Sequence, residues 1–102
     1  MIKSFNVKNS TPQEFIEKVM TILQKGELGK VTTMTASGDN FTVVFSKLGK
    51  SEIVYDLTKE GTNFSCTFKS EKVAFTHKAF KGEVDKGITK AFEHAGATVV
   101  QG

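Results

Sequence analysis

Arginine and tryptophan are absent from this chain, and cysteine and proline occur once each. All 14 basic residues are therefore lysines, against 11 acidic ones, for a formal charge of +3. Proteins that read nucleic-acid sequence lean on the bidentate guanidinium fork, and lysine offers only a point charge in its place. Specific DNA binding is disfavoured, and the small positive excess supports weak, salt-sensitive phosphate binding at most. A single cysteine, Cys66, excludes an intramolecular disulfide. No apolar run approaches the roughly 18 residues of a membrane-spanning helix. The opening residues, Met1 to Asn6, contain no apolar stretch of the signal-peptide kind, which predicts a soluble, cytoplasmic chain.

What the chain does contain is aromatic mass. Nine Phe and one Tyr among 102 residues supply large core pieces. A chain of this length forms one domain, here 1–102, and buries roughly 60–68% of its unfolded surface. Folding needs neither a metal nor a cross-link at that size.

The sharpest local signal is Thr11-Pro12-Gln13-Glu14, a capping box with Pro at the first helical position. Phe15, Ile16, Val19, Met20, Ile22 and Leu23 follow at helical spacing, predicting a helix over 12–25 with Gly26 as a left-handed stop. A short strand precedes it at 3–8. From Lys30 to about His77 the period becomes two. Val31 to Ala36 predicts one strand. Three further runs share one phase: Phe41, Val43 and Phe45; Ile53, Tyr55 and Leu57; Phe64, Cys66 and Phe68. Turn chemistry separates them at Ser37-Gly38-Asp39-Asn40, Leu48-Gly49-Lys50 and Lys59-Glu60-Gly61-Thr62, the pattern of an antiparallel meander with one covered face. Val73 to Thr76 extends the last run up to His77. Val84, Ile88, Ala91, Phe92 and Ala95 then predict a second helix closed by Gly96, with a short final strand at 97–100. Gly82 and Gly87 weaken that helix by about 1 kcal/mol each if interior. The expectation is an α+β fold: an antiparallel sheet of about four to five strands with two helices on one face, in the order β-α-β-β-β-β-α and a possible final β.

Chemical constellations are scarce. His77 and His94 are too far apart for metal-ligand spacing, and one Cys builds no cluster. Gly26 to Lys30 lacks the phosphate-loop pattern, and no G-x-S-x-G elbow occurs. Glu83 and Asp85 suit the first turn of a helix, and His94 suits the last. Cys66 reads as a small buried hydrophobe. The residues therefore point to no catalytic centre, no metal and no cofactor. The segment 75–82 stands apart, with two Phe, two Lys and a His in eight residues. Phe75, His77, Lys78, Phe80 and Lys81 form the candidate binding patch, toward a hydrophobic or anionic partner. The alternative is a pocket for a small apolar ligand between sheet and helices, with Tyr55, His77 and Cys66 as candidates for simple acid–base chemistry. Its condition is that a cavity survives packing of the Phe-rich core. Weak nucleic-acid binding is the third reading.

The order of a short strand, a capped helix at 11–25, a meander and a hydrophobic-basic connection ending in Lys81-Gly82 resembles the small bacterial proteins of the polyhydroxyalkanoic acid system, or granule-region, family. Those proteins carry many arginines, and this chain has none. The resemblance implies association with storage granules or their proteins, and it transfers no catalytic residue.

Overall fold

The computed structural model describes residues 2–102, with the backbone alone at Phe75 and Thr76. The elements run β1 (Ile2–Val7), α1 (Pro12–Leu23), α2 (Leu28–Val31), β2 (Thr32–Ser37), β3 (Asn40–Ser46), β4 (Lys50–Glu60), β5 (Asn63–Lys72), a 3-10 helix (Phe75–Phe80), α3 (Lys81–His94) and β6 (Ala97–Gln101). The six strands form one sheet in the order β2-β3-β4-β5-β1-β6, antiparallel at every pairing. The expected meander is β2 to β5. The chain's first and last strands then pair with each other and add to its β5 edge.

Helix α1 begins as its sequence dictates. The Thr11 hydroxyl accepts the Glu14 N–H at 3.1 Å, and the Glu14 carboxylate accepts the Thr11 N–H at 3.0 Å. Those hydrogen bonds hold the Glu14 carboxyl below its usual value. The helix ends at Leu23, two residues short of the expected boundary, and Gly26 is not left-handed. The Lys25 and Gly26 N–H groups instead close tight turns onto Ile22 and Leu23, which lead straight into α2. That four-residue helix takes the place of the start of the strand expected from Val31. Gly29 permits the reversal: a Cβ there would lie 2.5 Å from the Leu23 carbonyl oxygen. Gly87 has a similar reason within α3, since a Cβ there would run into the Leu28 side chain. At Gly29 the obstacle is the backbone itself, whereas at Gly87 it is the far end of a flexible side chain.

The inner face of the sheet carries the expected residues. Phe41 and Val43 of β3, Tyr55 and Leu57 of β4, and Phe64 and Cys66 of β5 are all buried. Phe5 lies at the centre of an aromatic cluster, with ring centroids 5.7 Å from Phe15, 5.3 Å from Phe41, 5.5 Å from Tyr55 and 4.8 Å from Phe92. Most of these contacts are edge-to-face, the arrangement the ring quadrupole favours. Helices α1 and α3 complete the core through Phe15, Val19, Ile88, Ala91 and Phe92.

Two departures from the expected pattern shape the other half of the sheet. β5 stops at Lys72, and 75–80 is a 3-10 helix rather than the end of a strand. β5 also bulges: Tyr55 pairs with Phe68 but Val54 with Ser70, leaving Lys69 as an extra residue. The bulge reverses the alternation, so that Glu71, outward in simple period-two counting, turns to the covered face.

Candidate functional site

Beyond the Phe cluster, α2, the 3-10 helix and the first half of α3 stand away from the sheet and enclose a half-open cavity of about 810 Å³. Its floor is Val43 and Phe45 of β3, Ser51, Ile53 and Tyr55 of β4, and Glu71 of β5. Leu28 and Val31 of α2 and Val84, Ile88 and Phe92 of α3 form the opposite wall. Lys47, His77, Phe80 and Lys81 stand at the rim. Among the described residues, none from α1 lines it. The cavity lies beside the aromatic core, with Tyr55 and Phe92 of that core among its lining residues.

Among the polar lining groups, Ser51, His77 and the Lys47 backbone form one connected arrangement. Ser51 is 3% exposed. Its Oγ accepts the Ala74 N–H at 2.8 Å and lies 2.5 Å from His77 Nδ1. On its other side, His77 Nε2 meets the Lys47 carbonyl oxygen. A carbonyl can only accept, so Nε2 carries the proton and Nδ1 receives the Ser51 O–H. This chain of bonds ties the β3–β4 turn, the start of β4 and the 3-10 helix together. Ser51 and His77 also stand as a hydroxyl and a base would in a nucleophilic pair, but the serine is buried and its oxygen already holds two partners. The arrangement is a latch.

Deeper in, the Tyr55 O–H donates to the Ile2 carbonyl at 3.0 Å. Burial pushes the phenol well above its usual range, and the negative charge of Asp85 adds to the effect. Burial likewise pushes the Cys66 thiol up to about 12. Neither is placed for acid–base work near neutrality: Tyr55 is neutral and engaged, and Cys66 belongs to the core as its alternation implied. Glu71 is, like Ser51 and Lys47, a polar lining residue that sequence reasoning missed. Its Oε1 lies 3.2 Å from Lys81 Nζ, while Oε2 is buried with no hydrogen-bond partner among the described residues. Only the bulge could have revealed it, and a bulge leaves no mark in hydrophobic periodicity.

The candidate patch is divided by the structure. His77, Phe80 and Lys81 line the cavity mouth, while Lys78 is exposed on the 3-10 helix beside them. The side chain of Phe75 lies outside the described residues. His94 closes α3 at the surface, far along the helix from the mouth. No group of three or more His, Cys, Asp or Glu among the described residues could hold a metal ion, and no helix there is long and apolar enough to cross a membrane.

Sheet and cavity define the class as an α+β domain with a pocket between an antiparallel sheet and its covering helices. No family model matches the sequence, and a search of curated proteins finds no relative of it.

Proposed function

We propose that this chain is a non-enzymatic binding domain that takes a small, mostly apolar ligand with one polar end into the cavity between sheet and helices. The observation that carries the reading is the cavity itself. Its volume of about 810 Å³ falls within the range of small-molecule sites, roughly 300–1,000 Å³. Val43, Phe45, Ile53, Val84, Ile88 and Phe92 give it an apolar lining, and Ser51, Glu71, His77 and Lys81 are among the polar groups that face it. Such an arrangement holds an apolar body by burial and orients it by one hydrogen-bonding end.

The test is saturable uptake of anilinonaphthalene sulfonate, read by fluorescence. The unaltered protein should bind the dye at a single site. Ile53→Trp combined with Val84→Trp places two large rings on facing walls and should remove uptake while cooperative unfolding persists. No uptake by the unaltered protein, or undiminished uptake by a well-folded double variant, would overturn the proposal.

A further inference from the structure

The rim of the cavity also presents side chains to the outside. Among the described residues, three large hydrophobic side chains are strongly exposed: Leu48 at 84%, Phe80 at 57% and Val100 at 50%. Phe80 lines the cavity, and Leu48 is next in sequence to the lining residue Lys47. Leu48 is the tip of the β3–β4 turn, next to Lys47, whose carbonyl meets the His77 ring, and Phe80 follows His77 by three residues. Leu48 also holds a left-handed conformation, φ 54°, that favours Gly or Asn in a turn. Charge is just as one-sided. Residues 47–50 and 75–82 together contain four lysines and no carboxylate. Lys81 reaches back to Glu71, and Lys47 and Lys50 are exposed at the two ends of the β3–β4 turn. Glu83 and Asp85, the nearest acids on α3, line the cavity wall.

We propose that this rim docks on an anionic lipid bilayer, with Leu48 and Phe80 entering the boundary of the acyl chains and the surrounding lysines meeting lipid phosphates. Two apolar tips with lysines beside them in sequence are complementary to that surface in both layers. Each lysine near an anionic membrane contributes attraction, and its aliphatic stem lets the ammonium stay at headgroup depth. Docked in this way, the open mouth faces the bilayer, so an apolar ligand passes between lipid and cavity without crossing water. That purpose rests on the cavity reading; the geometry of the rim does not.

Co-sedimentation with vesicles separates the two. The full chain should sediment with vesicles of phosphatidylcholine mixed with phosphatidylglycerol, less as salt rises, and scarcely with phosphatidylcholine alone. Leu48→Ser with Phe80→Ser should weaken binding at least about tenfold, and Lys47→Gln with Lys50→Gln about fivefold per lysine, with melting temperatures unchanged. No sedimentation with the anionic vesicles, or a double serine variant that sediments like the unaltered protein, would overturn docking. Dye uptake by the same samples keeps the failures apart. Uptake without sedimentation overturns docking and leaves the cavity reading intact, whereas sedimentation without uptake supports docking and overturns the cavity reading.

Discussion

Ser51 shows how much one small side chain can organise. Its hydroxyl accepts from the Ala74 backbone and donates to His77, which in turn meets the Lys47 carbonyl. Ser51→Ala would leave a part-buried N–H and an imidazole nitrogen without their partner. Each loss of this kind costs about 1–3 kcal/mol. The expected outcome is a drop in unfolding free energy of that order in urea, with amide exchange quickening first in 74–80. A uniform loss of protection across the sheet would refute the latch. Sequence reading singled out His77 as a candidate but gave no reason to consider Ser51. Their meeting depends on where β5 stops.

At the scale of elements, legibility follows the range of the forces involved. The capping box and the 3.6-residue spacing act within one turn, so α1 was readable almost to the residue. Thr11→Ala removes one half of the reciprocal cap and should lower the melting temperature by roughly 5 °C, measured by circular dichroism. An unchanged melting temperature would mean that packing of Phe15 and Val19 alone holds the helix start. The meander was readable because alternation and turn chemistry are also local. Helix α2 was not, since four residues hold no period, and its position depends on Gly29 lying against the end of α1. The bulge at Lys69 escaped for a related reason. An extra residue is defined against the neighbouring strand, and a single chain segment contains no record of its partner's register.

For the whole molecule, the decisive feature is that the aromatic core and the cavity divide the space under the helices. Phe5 touches four other rings within 6 Å, so its loss opens the centre of the packed half. Phe5→Ala should cost about 3–5 kcal/mol, a large share of a small domain's stability. Urea unfolding should show a lower midpoint with an unchanged slope, and a cost below about 1 kcal/mol would mean that the cluster does not hold the fold together.

The sequence by itself determined the α+β class, the capped first helix, the four-strand meander with its inward residues, the second long helix and the burial of Cys66. All of these follow from interactions between residues close in the chain, or from the need to hide one apolar face. The tertiary structure alone decided the strand order that pairs the chain's two ends, the turn of Glu71 toward the cavity, the Ser51–His77 latch and the cavity itself. An unfilled volume is set by how far the helices stand from the sheet, which depends on long-range register and close backbone approach rather than on any local pattern.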